Sequence, residues 1–274
     1  MRTVELGDLT MPAIGLGTFK LQGEQAREIV QRALAEGYRH IDTARMYGNE
    51  AEVGAALAAS GVPRGEIFLT TKVWPDDFRP RDFERAVTDS LHKLRTDHID
   101  LLLLHWPSGT GPVGETLSAL GELVRQGKVR HAGLSNFTRA LWDEADGVSP
   151  VPLVCNQVEY HPFLDQRAMV RFLAERRAAL TAYCPLARGR VVGNPAITRI
   201  ADKHGVGEGE IALAWLLSSH NVAAVPKTAN PDRLASNLRA AEIELSPEDI
   251  AAITALAEPD GRIISPGGLA PEWD

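Results

Sequence analysis

The sequence predicts an α/β protein folded as a single (β/α)8 TIM barrel, and three observations predict it. A short apolar strand followed by a helix-period pattern recurs eight times. The stretch Ile99-Asp100-Leu101-Leu102-Leu103-Leu104 is nearly continuous in apolar side chains, as a strand covered on both faces requires. No composition break divides the 274 residues, so one closed barrel over 1–274 is favoured over an open doubly wound sheet.

Residues 2–11 read as a small β-hairpin, with Val4 and Leu6, a Gly7-Asp8 turn, then Leu9 and Met11. It is expected to plug the N-terminal mouth of the barrel. The run Pro12 to Phe19 holds the first core strand. In Glu24–Glu36, the residues Ala26, Ile29, Val30, Ala33 and Leu34 share one helical face, and Gly37 closes the helix. Strand His40–Asp42 then precedes helix Asn49–Ala59, and strand Ile67–Lys72 precedes helix Arg81–Leu94. Strand Ile99–His105 leads to helix Gly114–Gln126, and strand Val129–Ser135 to helix Arg139–Asp146. Strand Leu153–Glu159 is followed by helix Gln166–Arg176. Strand Ala179–Tyr183 leads through an irregular piece, 187–195, to helical segments 196–204 and 208–219. Strand Val222–Lys227 and helix Pro231–Ala240 complete the series. Ser246-Pro247-Glu248-Asp249 is a capped, Pro-initiated helix start, with Ile250, Ile253 and Leu256 along its inner face. The Gly/Pro-rich tail from Glu258 to Asp274 is expected to lie over the barrel as a loop.

Charge and composition exclude several function classes. The formal charge is −7, and the 29 basic residues are spread thinly, which argues against nucleic acid or an acidic membrane surface as partner. No apolar run approaches the ~18 residues of a membrane span, and the N-terminus lacks the apolar block of a secretory signal. A cytoplasmic location is expected. Cys155 and Cys184 form no CxxC pair and read as reduced structural thiols. No long apolar surface stripe demands a dimer, so the expectation is a monomer acting on a small molecule.

Barrel enzymes carry their chemistry at the C-terminal ends of the strands. Those ends hold Asp42, Lys72, His105, Ser135-Asn136, Gln157, Tyr183 and Lys227, and Tyr47 follows Asp42 in the next turn. A free phenol has a pKa of about 10. A buried ammonium nearby stabilises the phenolate, and a carboxylate keeps that ammonium charged. Lys72 and Asp42 suit these two roles. Lowering the Tyr47 phenol by ~2 units needs about 2.7 kcal/mol of differential interaction. His105 can present a ring N–H to a carbonyl oxygen, so the set suits carbonyl reduction. Plainer roles fit the same residues singly. Asp42 can cap the following helix, Tyr47 can pack, Lys72 can pair structurally with Asp42, and His105 can be a satisfied core histidine.

A carbonyl reductase needs a hydride source. Gly15-Leu16-Gly17-Thr18-Phe19-Lys20 lacks the third glycine of a Rossmann turn, so a dinucleotide would be held differently. Ser135, Asn136 and Gln157 suit a nicotinamide carboxamide, and Tyr183 offers a flat face to its ring. Lys227, Thr228 and Arg233 cluster as a phosphate site, although each cation alone reads as ordinary solvated charge. Gly133-Leu134-Ser135-Asn136-Phe137 lacks the closing glycine of a nucleophile elbow, and Gly121 to Lys128 has one residue too many for a P-loop. No His-x-His pair ends the first strand, so no metal is expected.

The run Gly37 to Gly54, with Asp42-Thr43-Ala44, Glu50 and Val53-Gly54, resembles the signature of the aldo-keto reductase family. Lys72, His105-Trp106-Pro107, Gly133–Phe137, Asn156-Gln157, Tyr183-Cys184-Pro185-Leu186 and Val225-Pro226-Lys227-Thr228 extend the likeness over essentially the whole chain. The resemblance implies a barrel that binds NADPH/NADP+ in an extended pose, with Asp42, Tyr47, Lys72 and His105 as the catalytic tetrad. It implies that Asp42, Ser135, Asn136, Gln157, Tyr183 and Leu186 face the nicotinamide half of the cofactor. Lys227, Thr228 and Arg233 would meet the 2′-phosphate, and Asn237 the adenine. Phe19, Trp74 and Trp106 would line the substrate pocket with Tyr47 and His105. Three features depart from many relatives: Ser236 in place of a Glu near the adenine, Phe19 in place of a Trp, and a short 106–113 loop. The family also contains regulatory subunits that bind NADPH and turn over slowly, and that is the alternative.

Overall fold

The computed structural model describes residues 2–107 and 113–274; most of the short 106–113 loop, residues 108–112, thus lies outside the described residues. Strands β1 (Thr3–Leu6) and β2 (Leu9–Pro12) form the expected antiparallel hairpin, turned by Gly7 in the left-handed region at φ +58°. Val4, Leu9 and Met11 are buried from it against the barrel floor.

The barrel strands are β3 (Leu16–Gly17), β4 (His40–Asp42), β5 (Phe68–Val73), β6 (Ile99–Leu104), β7 (Val129–Ser135), β8 (Leu153–Glu159), β9 (Ala179–Tyr183) and β10 (Val222–Ala224). They pair in parallel, in sequence order. The two edges meet. Ile14 bridges Ala224, Gly15 N donates to Ala224 O at 2.9 Å, and Gly17 N donates to Pro226 O at 3.0 Å. That contact closes the sheet on itself and removes both edges. The last strand is shorter than the predicted Val222–Lys227, because Pro226 has no N–H to give the ladder.

The helices alternate with the strands as predicted: α1 (Gly23–Ala35), α2 (Glu50–Ala59), α3 (Pro80–Leu94), α4 (Val113–Arg125), α5 (Arg139–Val148), α6 (Arg167–Glu175), α7 (Pro195–His204), α8 (Glu208–Leu216), α9 (Asp232–Arg239) and α10 (Pro247–Thr254). Helix α1 buries the five predicted residues, Ala26, Ile29, Val30, Ala33 and Leu34. Helix α10 starts in a capping box: Ser246 Oγ accepts from Asp249 N at 3.2 Å, and the Asp249 carboxylate accepts from Ser246 N at 3.4 Å. No helix among the described residues is long and apolar enough to cross a membrane.

One glycine sets a close approach. A Cβ on Gly54 of α2 would lie 2.2 Å from Lys93 O and 2.6 Å from Leu94 C, both backbone atoms of α3. Backbone cannot yield as a flexible side chain can. Gly54→Ala is therefore expected to destabilise the fold by about 3 kcal/mol, an overpacking cost, visible as a lowered urea midpoint. A shift of under ~0.5 kcal/mol, the range of a neutral surface change, would show that α2 simply slides away.

Candidate active site

Period-2 alternation along β4 turns both His40 and Asp42 into the barrel. His40 lies one layer down, its ring nitrogens 3.2 Å from Pro12 O and 3.2 Å from Thr70 Oγ1. Asp42 lies in the layer above. In β5, Thr70 pairs with Asp42 in register, and Lys72, two residues further on, reaches the Asp42 carboxylate. The two ionised groups are buried together, the Lys72 side chain at 0% exposure and that of Asp42 at 3%. Lys72 Nζ donates to Asp42 Oδ1 at 2.7 Å, to Thr43 O at 2.9 Å and to the Tyr47 hydroxyl oxygen at 3.3 Å. These bonds use all three ammonium donors. The Tyr47 O–H is left free to donate. Asp42 caps no helix; its second oxygen accepts from the Gln157 amide nitrogen at 2.7 Å.

Tyr47 rides on a one-turn 3₁₀ segment, Arg45–Tyr47, ended by Gly48 at φ +69°. Gln22, Asn49 and Arg45 hold that turn and the loop before it. Gln22 Nε2 donates to Tyr47 O at 2.7 Å. Asn49 does not cap α2; its amide donates to Thr18 O and Leu21 O, both at 2.9 Å. Arg45 ties the turn to α3 through Ala86 O at 2.9 Å and Asp89 Oδ2 at 2.8 Å.

The titration of Tyr47 runs against the expected lowering. Burial pushes its pKa up, and the Lys72 cation only partly offsets this. Burial also disfavours the Lys72 ammonium, but Asp42 and Tyr47 together outweigh it and hold that group above its ordinary value. Burial, with Lys72 adding to it, drives the His105 imidazole well below its usual range. At neutral pH the Tyr47 phenol and the His105 imidazole are therefore neutral and the Lys72 amine is an ammonium. Among the described residues, the buried His105 Nδ1 has no partner. Placing the proton on Nε2 avoids burying an unpaired N–H.

Asp42, Tyr47 and His105 border a cavity of about 590 Å³, and the wholly buried Lys72 does not line it. Its lining joins Phe19, Tyr47, His105 and Trp106 to a polar floor of Ser135, Asn136 and Gln157, on and just after β7 and β8, and to the cations Lys227 and Arg233. Phe19 lies 5.1 Å from Tyr47 between ring centroids, and the His105 ring meets Tyr47 edge-on at 5.8 Å. Tyr183, Leu186 and Asp42 also face the cavity. Like Lys72, the expected site residues Trp74, Thr228 and Asn237 do not line it. Trp74 packs perpendicular to the His105 ring at 5.1 Å, and the Thr228 hydroxyl is engaged with Asn230 at 3.0 Å. Met46, Val192 and Ile264 are among the further apolar residues of the lining. No motif marked them, because apolar residues in loops carry no periodic signal.

The hydrogen-bond ledger of the floor fits a carboxamide. Asn136, at φ +67°, donates to His105 O at 3.0 Å and Ser135 Oγ at 3.1 Å, and its Oδ1 accepts from Tyr183 OH at 2.7 Å. One lone pair of Asn136 Oδ1 and the whole of Gln157 Oε1 remain to accept from an NH2 group. The Ser135 hydroxyl now donates to Gln157 O at 2.9 Å and can turn to donate to a C=O. Among the described residues, no three His, Cys, Asp or Glu side chains are grouped to hold a metal ion.

Comparison with known proteins agrees with this geometry. The model of the aldo/keto reductase family matches residues 13–258. The chain is 40% identical over 269 residues to methylglyoxal reductase DkgB of Escherichia coli O157:H7, covering 97% of this chain and all of that one. It is 38% identical over 256 residues to glyoxal reductase of Bacillus subtilis (strain 168), covering 93% and 92% of the two chains. A crystal structure of a candidate 2,5-diketo-D-gluconic acid reductase B superposes with a TM-score of 0.98 at 46% identity, covering 100% of this chain and 98% of that one.

Proposed function

The chain belongs to the aldo/keto reductase family and is an oxidoreductase, and on that premise we propose that it reduces small aldehydes and ketones to alcohols with NADPH, Tyr47 giving the proton. The observation that carries the proposal is the Tyr47 hydroxyl, 3.3 Å from a fully buried Lys72 ammonium at the edge of the cavity. When bound, the dinucleotide supplies the hydride. His105 Nε2–H orients the substrate oxygen, and Tyr47 donates to it as negative charge develops there. The phenolate left behind faces the Lys72 cation, which Asp42 keeps charged. Lysine therefore acts on the product of the proton transfer more than on the resting phenol, whose pKa stays raised.

Ser135, Asn136 and Gln157 would hold the carboxamide, with Tyr183 against the ring and Leu186 along the wall. Lys227 and Arg233 would take the 2′-phosphate, with Thr228 joining after releasing Asn230, and Asn237 would reach the adenine. The names of the relatives and the small apolar rim of Phe19, Met46 and Trp106 point to 2-oxoaldehydes such as methylglyoxal, or keto-sugar acids such as 2,5-diketo-D-gluconate. A steady-state screen of these compounds with NADPH and NADH tests the assignment. No oxidation of either nucleotide with any of them would refute it.

Two further outcomes follow. Lys227→Ala with Arg233→Ala is expected to weaken NADPH about 10²-fold and NADH under about threefold, because two charge-assisted contacts to one phosphate are lost. Equal losses, measured by quenching of protein fluorescence, would place the 2′-phosphate elsewhere. For pH, His105 is neutral and Tyr47 protonated across the physiological range, so kcat/KM for reduction should be flat from about pH 6 to about pH 9. It should fall only as alkali removes the Tyr47 proton. A limb with its midpoint near neutrality would mean that another group supplies the proton.

A further inference from the structure

We propose that Glu159 is a specificity-determining positioning residue: it clamps the C-terminal segment, 258–274, across the substrate end of the cavity. The inference rests on the reductase reading above. Glu159 ends β8, and its side chain is fully buried. The carboxylate touches none of the four clustered groups of the candidate site. Instead, Oε1 accepts from Ile263 N at 2.8 Å and from His161 Nε2 at 2.9 Å, and Oε2 accepts from Ile264 N at 2.8 Å. A buried carboxylate is costly unless its oxygens are satisfied. Here two consecutive backbone N–H groups, over a hundred residues onward in the chain, supply most of that satisfaction.

The tail beyond α10 contains no helix or strand, so these two bonds fix a stretch that has few of its own. What they fix faces the substrate. The Ile264 side chain borders the cavity. Beside the clamped bond, the Arg262 guanidinium lies 3.6 Å over the Trp273 ring. Trp273 meets Trp106 edge-on at 6.2 Å, and Trp106 borders the cavity. The seat is tight at its start. A Cβ on Gly261 would fall 1.7 Å from Phe163 O, which also accepts from Glu258 N at 3.0 Å. Glu159 therefore determines where Ile264 and, through Arg262 and Trp273, where Trp106 meet a substrate. Neither Lys227 nor Arg233 bonds to the Glu159 carboxylate, whose partners are Ile263 N, Ile264 N and His161 Nε2.

Glu159→Gln keeps the shape but turns an NH2 group toward a backbone N–H. Its expected effect is a rise of about tenfold in KM for methylglyoxal, with kcat within about threefold, since misplaced walls cost positioning. NADPH affinity should stay within about twofold, as Lys227 and Arg233 are unchanged. Trypsin should cut the Arg262–Ile263 bond faster than in the parent protein. In a double-mutant cycle with Ile264→Ala, the two effects on KM should fall short of multiplying, because both act on one wall. Should Glu159→Gln fail to fold, Gly261→Ala lifts the same segment and should give the same split. An unchanged KM, fully multiplicative effects, or a loss of NADPH affinity equal to the change in KM would overturn the proposal. If the parent protein reduced no carbonyl, the reductase reading would fail, while the trypsin arm would still show whether Glu159 holds the tail.

Discussion

Replacing Tyr47 with Phe is expected to lower kcat/KM for carbonyl reduction by about 10³-fold, within the range that a positioned general acid contributes. The substitution removes one oxygen and leaves the ring, so the contacts with Phe19 and His105 at 5.1 and 5.8 Å between centroids survive. The lost group is the hydroxyl that accepts from Lys72 Nζ at 3.3 Å. NADPH binding should persist, since the residues proposed to hold its carboxamide, Ser135, Asn136 and Gln157, are unchanged. Rapid-quench or steady-state rates on methylglyoxal, with dinucleotide affinity measured in parallel, separate the two. A loss under about tenfold would assign the proton to another group, because water alone does not replace an acid so well.

The second large effect is expected from Lys72→Met. It removes the cation from a buried pair and leaves the Asp42 carboxylate with the Gln157 amide as its remaining partner. Breaking one side of a buried ion pair costs about 3–5 kcal/mol. The urea midpoint should fall accordingly, and turnover should fall at least as far as in Tyr47→Phe. Adding Asp42→Asn to Lys72→Met removes the stranded charge, so the double variant should regain much of the lost stability and none of the activity. A Lys72→Met protein of parental stability would show that water reaches the pair. A double variant with restored turnover would remove Lys72 from the chemistry.

Much of the fold is legible before any coordinates. The helix on Glu24–Glu36 announces its buried face through five apolar residues at helical spacing, and β6 announces double burial through its run of leucines. Strand ends are legible because each strand stops where its apolar run stops. That placed Asp42, Lys72, His105, Ser135 and Gln157 on one rim. The short β3 and β10 were harder. Their closure depends on Gly15 and Gly17 reaching Ala224 and Pro226 from the far end of the chain.

Sequence reading was weaker on what each polar atom does. It assigned Asn49 to a helix start, but its amide serves two carbonyls of the preceding loop. It gave no sign that Trp74 backs the His105 ring or that the Thr228 hydroxyl binds Asn230. It passed over Gln22 and did not foresee that Glu159 holds the tail, since their partners are backbone groups distant in the chain and backbone groups leave no mark in side-chain patterns.

The sequence by itself determined the barrel, the order of its units and the types of residue gathered at the strand ends, because periodicity and residue chemistry are local properties. Only the tertiary structure decided that Tyr47 stays a weak acid beside its cation, and that Gln157 spends its N–H on Asp42. Desolvation and the choice of hydrogen-bond partner depend on which groups crowd together through space, and the chain sets that only when it closes on itself.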